Sequence, residues 1–178
     1  MSILNNKIFS KQEYLSIGLI ILLAASRLIP HPPNFTPIIA MGIMSGYFFR
    51  NHSVSFVVIL VSMLLVDVFI GFYQYMFFIY FSLFLITFFS FKVTKKINVK
   101  SLFIIGLGSS VLFYLISNFG VWLMGSIYSK NISGLIECYI AAIPFFRNTL
   151  LSTIIYSYIC FFSMNAIKLI FFPDYSKK

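Results

Sequence analysis

Apolar stretches alternate with short polar segments along the chain, at about residues 14–29, 35–49, 53–70, 74–91, 101–124 and 149–172. A helix needs about 20 predominantly apolar residues to cross a bilayer, and these stretches are near or somewhat below that length. The pattern therefore predicts an all-α fold, a polytopic bundle of six transmembrane helices that forms a single transmembrane domain over residues 1–178. The second stretch is the shortest, so either a tilted short helix or a re-entrant segment fits it.

The longest connection, residues 125–148, alternates polar and apolar residues too irregularly for a further crossing. We expect an outer amphipathic segment in which a short helix starts near Gly134 and ends at Pro144. A lid over a pocket and an interfacial helix resting on lipid both fit this segment. The Phe-rich fourth stretch has no polar stripe and is expected to face lipid. The Gly42 and Gly46 pair permits close helix packing, either within the bundle or against another subunit.

Composition supports a membrane location for the chain. Hydrophobic residues make up 60% of the sequence, charged residues only 10%, and the mean hydropathy is +0.97. This is more apolar surface than a 178-residue globule would bury, so lipid is expected to cover the excess. We therefore expect the lipid bilayer to be an obligatory partner of the protein.

The distribution of basic residues predicts the orientation of the helices. With six crossings and the N-terminus inside, the cytoplasmic side receives most of the 13 Lys and Arg residues: Lys7, Lys11, Arg50, Lys92, Lys95, Lys96, Lys100, Lys168, Lys177 and Lys178. This asymmetry follows the positive-inside rule and predicts an N-in, C-in topology. The net charge of +9 then suits anionic lipid headgroups, and we expect no nucleic-acid partner.

Unusual polar residues cluster near the predicted outer ends of the helices. Asp67 and Glu137 lie in strongly apolar context, on the same side as Arg27 and Arg147. An ionised group in the hydrocarbon region costs about 2.5–3.5 kcal/mol, so each is expected to face a cavity or a partner. Salt bridges that only fix helix register, or an Arg27 side chain that reaches to the headgroups, are the structural alternative. The predicted substrate-binding residues are Arg27, His31, Asn34, Asp67, Asn118, Trp122, Glu137, Tyr139, Arg147 and Asn148.

The segment RLIPHPPNFTPI, residues 27–38, separates the first two stretches. Its prolines end the first helix and stiffen the chain, so the segment is expected to line or cover the site. Asn34 is predicted to cap a helix that begins at Phe35, with Pro37 in its first turn. His31 fits a pH-sensitive ligand contact, a metal ligand or an interfacial side chain; without a second nearby histidine, we expect no metal and no cofactor.

Four motifs, RLIPHPPNFTPI, VDVFIGF, SNFGVWLMG and GLIECYIAAIPFFRNTLL, resemble an uncharacterised family of bacterial membrane proteins with an RLxPHxPNFxP motif, over nearly the whole chain. That family is similar in layout to the substrate-binding S components of energy-coupling-factor (ECF) vitamin transporters, including an Asp and Gly pair, here Asp67 and Gly71, at the end of the third helix. The resemblance implies a multi-pass protein of the bacterial inner membrane. It also implies capture of a small micronutrient and its delivery through a partner transmembrane subunit driven by cytoplasmic ATPases.

The leading functional hypothesis is a pocket that opens outward and binds a polar or zwitterionic solute. In it, Arg27 and Arg147 hold anionic groups, Asp67 and Glu137 hold donors or cations, and Trp122 and Tyr139 form stacking walls. One alternative is a structural or assembly subunit whose charges only fix packing. A membrane enzyme with an acidic base and His31 as the acid is a further alternative. We expect no enzyme, because the sequence has no G-x-S-x-G, H-E-x-x-H or nucleotide-binding G-x-x-x-x-G-K-[ST] motif.

Overall fold

A computed structural model describes residues 10–49, 51–93 and 97–171, and every regular element in these ranges is helical. The predicted all-α fold with six helices is confirmed. Some of the basic residues on which the predicted orientation depends lie outside the described ranges: Lys7, Arg50, Lys95, Lys96, Lys177 and Lys178. The helices are α1 (Lys11–Ala25), α2 (Ile38–Phe48), α3 (His52–Ile70), α4 (Met76–Val93), α5 (Val99–Met124) and α6 (Ile132–Phe171), and a 3-10 turn (Ser26–Leu28) follows α1.

Four helices are long and apolar enough to cross a membrane: α3, α4, α5 and the part of α6 over Ile132–Ile167. This indicates a membrane protein. In contrast, α2 has 11 residues. At 1.5 Å per residue it spans about 16 Å, roughly half of the hydrocarbon thickness. It is nevertheless the most completely buried helix of the bundle, since all but one of its residues are buried.

The two glycines of α2 allow α4 to pack directly against it. A Cβ atom at Gly46 would lie 2.7 Å from the backbone nitrogen of Phe91, closer than real Cβ contacts occur. At Gly42 a Cβ would lie 3.2 Å from the Ile86 side chain. The pair therefore serves packing within the bundle, which decides between the two possibilities that the sequence left open.

The interpretation of α4 as a lipid-facing helix holds for only one of its faces. One face of α4 is buried against α2 and α5, and Ser82, Thr87 and Ser90 lie on it. These small polar side chains recur at helical spacing among bulky aromatic residues. Small residues of this kind are typical of helix–helix interfaces in membranes, whereas the aromatic residues between them face outward.

The boundaries of α2 differ from the sequence prediction. The helix begins at Ile38, not at Phe35, and Asn34 does not cap it. Asn34 instead has φ of 60°, and the Phe35 amide donates to the Pro32 carbonyl at 2.9 Å. Proline at the second position and a left-handed Asn at the third are typical of a type II turn. The turn ends at Phe35, so Asn34 and Phe35 do not begin the helix.

The predicted break at Pro144 is absent from the described chain, because α6 runs without interruption through this residue from Ile132 to Phe171. The separate short helix expected within 125–148 is therefore the first part of a 40-residue helix. Pro144 lacks the N–H that would donate to the carbonyl four residues earlier, yet the helix continues through it. Contacts with α5 hold the preceding turns: the Tyr114 hydroxyl donates to the Tyr139 carbonyl, and the Tyr139 hydroxyl donates to the Leu115 carbonyl at 2.8 Å.

Candidate functional site

A cavity of about 230 Å³ lies where the 3-10 turn, the start of α2, the α3–α4 connection and the middle of α5 and α6 meet. We call it the polar cavity. Its lining combines one arginine, two asparagines, several hydroxyl groups, aromatic rings and aliphatic side chains. The lining residues are Arg27, Asn34, Thr36, Ile38, Ile39, Tyr73, Tyr75, Ile79, Phe113, Ser117, Asn118, Val121 and Thr149.

A second cavity of about 230 Å³, the side cavity, adjoins the polar cavity and extends between α5 and α6. The two cavities share Asn34, Tyr75, Asn118 and Val121 as lining residues. The rest of the side cavity is mostly apolar, and includes the free thiol of Cys138. Asn34 and Asn118 therefore stand at the junction of the two spaces.

The arginine of the polar cavity is already paired. Arg27 Nη2 lies 2.8 Å from Asp67 Oδ1, and the side chains are 9% and 0% exposed respectively. The Tyr80 hydroxyl donates to Asp67 Oδ2 at 2.7 Å, and Arg27 Nη1 contacts the Met63 sulfur at 3.4 Å. Asp67 thus stands behind Arg27, away from the cavity lining, and compensates its charge.

The end of α3 explains why this aspartate can be buried at the site. Gly71 follows the helix with φ of 102°, a conformation that glycine adopts without strain, and its amide donates to the Asp67 carbonyl at 2.8 Å. The chain then turns into the short connection that contains Tyr73 and Tyr75. Asp67 is therefore placed in the last turn of α3, beside the aromatic residues that line the cavity.

The proline-rich segment between α1 and α2 borders the polar cavity. Its turn places Asn34 against the cavity, while His31 is exposed and its Nδ1 lies 2.6 Å from the Ile29 carbonyl. Asn148 of α6 donates from Nδ2 to the Pro33 carbonyl at 2.9 Å. This hydrogen bond attaches the segment to α6, so Asn148 acts on the border of the cavity rather than within it.

Two tyrosines of the α3–α4 connection form an aromatic wall. The ring centroids of Tyr73 and Tyr75 are 4.9 Å apart with an interplanar angle of 48°. Burial, and then the nearby negative charge of Asp67, raise the pKa of Tyr73 to about 12. The hydroxyl of Tyr73 is therefore a neutral group at physiological pH that is able to donate and accept hydrogen bonds.

The polar groups on α5 and α6 are partly engaged within their own helices. Asn118 donates from Nδ2 to the Tyr114 carbonyl at 2.8 Å, and Thr149 donates to the Phe145 carbonyl at 3.0 Å. Asn118 retains a second N–H and its side-chain oxygen for another partner. These residues thus supply hydrogen-bonding capacity without net charge.

The structure brings only part of the predicted site together. Arg27, Asn34 and Asn118 line the polar cavity, and Asp67 and Asn148 support it from outside. The other predicted residues line neither cavity. His31, Glu137 and Arg147 are exposed. Trp122 and Tyr139 are partly buried in contacts between α5 and α6.

The predicted meeting of four charges at one recess is therefore not observed. Glu137 accepts a hydrogen bond from Ser133 at 3.3 Å on the exposed side of α6. Arg147 is exposed on the same helix, further along. The continuity of α6 through Pro144 fixes both orientations, since a helix that ended there would have left the two residues free to turn inward.

Trp122 and Tyr139 connect α5 to the start of α6 instead of forming stacking walls. The Trp122 indole donates to the Ser129 carbonyl at 2.9 Å. Lys130 contacts the carbonyls of Trp122 and Gly125, where α5 ends. Carbonyls at a helix C-terminus lack partners within the helix, and a lysine ammonium satisfies them well.

The sequence interpretation missed Tyr73, Tyr75, Tyr80 and Thr149. A signal for the first two was present, since both follow Asp67 closely in the segment GFYQY. Thr149 is adjacent to the predicted Asn148, but neighbouring helical residues point in directions about 100° apart. Tyr80 lies in the Phe-rich stretch, for which the hydropathy pattern predicts contact with lipid.

A family model described as a family of unknown function, DUF6580, matches residues 7–174, and the chain therefore belongs to this family. The prediction of a family without an assigned function is confirmed, while the RLxPHxPNFxP motif as a mark of that family and the similarity to S components stay predictions. No curated protein and no solved structure matches the chain.

Proposed function

We propose that this DUF6580 member is a membrane-embedded solute-binding protein that captures a small polar micronutrient from the outer face of the membrane. The observation that carries the proposal is the polar cavity, a space of about 230 Å³ inside a bundle of apolar helices. Binding sites for small molecules are typically concave and mostly apolar, with a few convergent polar groups. The polar cavity is concave and combines aliphatic and aromatic walls with convergent polar groups, which form a larger share of its lining than is typical of such sites.

The cost of burying polar groups in a membrane protein supports a ligand. Ser117 is buried and Tyr75 is half-buried, and no hydrogen bond from either side chain occurs within the described ranges, whereas Asn34 lines the polar cavity from an exposed position. A hydroxyl or amide that loses water without gaining a partner costs about 1–3 kcal/mol. The hydroxyl groups of Ser117 and Tyr75 border one space, which is the arrangement expected where a solute or its water supplies the missing partners.

Orientation and partners form the second part of the proposal. With N-in, C-in topology in a bacterial inner membrane, the ends of α1 and α3 and the polar cavity lie toward the outside. The excess of basic residues on the opposite side supports this orientation. A partner transmembrane subunit with cytoplasmic ATPases, as in ECF transporters, then drives delivery. In this role the protein itself catalyses no reaction, needs no cofactor or metal, and has no nucleic-acid partner.

A structural or assembly role is the second candidate, and the ion pair favours it. Arg27 and Asp67 satisfy one another at 2.8 Å, and Tyr80 adds a further hydrogen bond to the carboxylate. The pair needs no ligand to balance its charge. In this role it fixes the register of α1 against α3, and the polar cavity holds only water.

Retention of a bound solute separates these two functions. The protein is purified from membranes in mild detergent, small molecules are extracted and identified by mass spectrometry, and a solute library is screened by thermal shift. Asn118→Leu removes a polar wall of the cavity, and Asn165→Leu is the matched control at the opposite end of the bundle, where Asn165 accepts from Tyr47.

We expect the wild type and Asn165→Leu to retain a solute and to be stabilised by it, and Asn118→Leu to lose it. Stabilisation follows RT ln(1 + [L]/Kd), which is about 2.7 kcal/mol at a ligand concentration of 100 Kd. If no molecule is retained and no library compound raises the melting temperature, the structural role is the correct one.

A further inference from the structure

We infer that the solute is an uncharged, flat ring compound that presents an amide-like pair of one hydrogen-bond donor and one acceptor. The inference rests on the proposed function and names the class of substrate for the same site. It differs from the polar or zwitterionic solute that the sequence suggested, because only Arg27 of the four charged residues behind that suggestion lines a cavity, and Asp67 already compensates its charge.

The charge balance of the site argues for a neutral solute. Among the described residues, Arg27 is the one charged side chain that lines either cavity, and Asp67 already compensates it. An anion would have to displace a carboxylate that is 0% exposed and has no other cation beside it within the described ranges. Breaking such a buried pair is strongly unfavourable. A cation would approach Arg27 directly, without a free acidic partner.

The walls of the polar cavity favour a flat ring. Tyr73 and Tyr75 stand together at one side, and Phe113 of α5 belongs to the same lining. Aromatic rings attract one another in offset-stacked or edge-to-face arrangements. The two tyrosine rings are tilted by 48° and both line the cavity, so they offer aromatic surface in two different orientations to a ring compound.

The two asparagines give the site its hydrogen-bonding preference. A carboxamide offers an acceptor oxygen and two N–H donors. Asn118 uses one N–H on the Tyr114 carbonyl, which leaves a donor and an acceptor side by side. Asn34 lines the same space. A ligand with an adjacent donor and acceptor matches this pattern, whereas a carboxylate would offer acceptors only.

The size of the space limits the solute. Drug-sized ligands occupy pockets of about 300–1,000 Å³. The polar cavity has about 230 Å³ and continues into the side cavity, whose lining beyond the shared residues is mostly apolar. One ring or two fused rings in the polar cavity, with a short apolar substituent toward the side cavity, fit this division.

A series of single-ring compounds that differ in net charge or in the flatness of the ring tests the inference. Nicotinamide is neutral, nicotinate is its anion-bearing counterpart, and 1-methylnicotinamide carries a positive charge; cyclohexanecarboxamide keeps the amide without the flat ring. Binding is measured on the purified full chain by thermal shift and by the fluorescence of Trp122, the one tryptophan of the sequence. We expect nicotinamide to bind at least about tenfold more tightly than the other three, a difference of about 1.4 kcal/mol.

Two pairs of variants connect the preference to the site. Asn118→Asp replaces the free donor by a negative charge and should shift preference toward 1-methylnicotinamide, whereas Asn165→Asp makes the same change away from the cavity and should not. Tyr75→Phe keeps the ring and should keep binding, whereas Tyr75→Leu should lose it. The second pair introduces no charge, so it still tests the inference if Asn118→Asp does not fold.

The outcomes distinguish the two proposals. If the series or the solute library yields ligands that carry net charge or lack a ring, the inference fails and the solute-binding function stands. The inference also fails if nicotinamide binds but the Tyr75 variants do not differ. If no compound of any class stabilises the protein, both the inference and the proposed function fail.

Discussion

The guanidinium of Arg27 lies 2.8 Å from the carboxylate of Asp67 and thereby joins the end of α1 to the last turn of α3. Asp67 is completely buried, and its carboxylate contacts Arg27 and the Tyr80 hydroxyl. Arg27 in turn lines the polar cavity. The same side chain therefore supports the fold and forms a wall of the candidate site.

Removing one member of this pair should destabilise the protein more than removing both. We expect Asp67→Leu to lower the free energy of unfolding by about 3–5 kcal/mol, because Arg27 is left without its counter-ion. The double variant Arg27→Met with Asp67→Leu should recover most of this loss. Melting temperatures in detergent micelles measure both effects. Equal losses in the single and double variants would show that the two charges are not coupled.

The hydrogen bond from Tyr80 should be worth more than one to a neutral acceptor. Tyr80 donates to the Asp67 carboxylate at 2.7 Å, whereas the Tyr158 hydroxyl donates to the Val99 carbonyl at 2.8 Å and is solvent-exposed. We expect Tyr80→Phe to cost about 1.5–3 kcal/mol and Tyr158→Phe about 1 kcal/mol or less. Thermal unfolding of the two variants provides the comparison. A smaller loss for Tyr80→Phe would contradict the assigned role.

The sequence predicted Arg27 and Asp67 as partners of a buried site for a sound physical reason. A charge within an apolar run has to be compensated, whatever the details of packing. The same reasoning failed for Glu137 and Arg147, because both are exposed on α6. Their direction depends on whether the helix continues through Pro144, and this is decided by contacts with α5 that local sequence does not reveal.

The fold was predictable to the level of helix number and approximate position, and less so for helix faces. Hydropathy identifies helices in a membrane protein reliably, because lipid requires long apolar stretches. It does not tell which face of an all-apolar helix packs inward. Ser82 and Ser90 on α4 were the available signal, since small polar residues at helical spacing favour packing over contact with lipid.

Two glycine substitutions test the close contact between α2 and α4. A Cβ at Gly46 would lie 2.7 Å from the backbone of Phe91, so Gly46→Ala should force the helices apart and lower the melting temperature clearly. A Cβ at Gly18 on α1 would meet no atom within 4 Å, and Gly18→Ala should be neutral or stabilise by up to about 1 kcal/mol through helix propensity. Equal tolerance at both sites would contradict the packing of α2 on α4.

Stability should fall at alkaline pH because of Tyr73. Burial raises its pKa from an ordinary value of 10.0 to about 12 in the folded protein. The unfolded chain therefore releases this proton first, so the contribution of Tyr73 is fully present below pH 10 and is lost as the pH rises toward 12. Melting temperatures measured across this range should fall more steeply for the wild type than for Tyr73→Phe. Parallel curves would show that the Tyr73 hydroxyl is not in a buried environment.

The orientation of the bundle determines which compartment supplies the solute. Ser126 lies exposed between α5 and α6, and Lys100 lies exposed at the other end of α5. With N-in, C-in topology, a membrane-impermeant thiol reagent should label Ser126→Cys in intact cells and Lys100→Cys only after permeabilisation. The native thiols of Cys138 and Cys160 are buried, so the wild type serves as the unlabelled control. The reverse labelling pattern would show that the polar cavity faces the cytoplasm. Capture of a solute from outside would then be excluded.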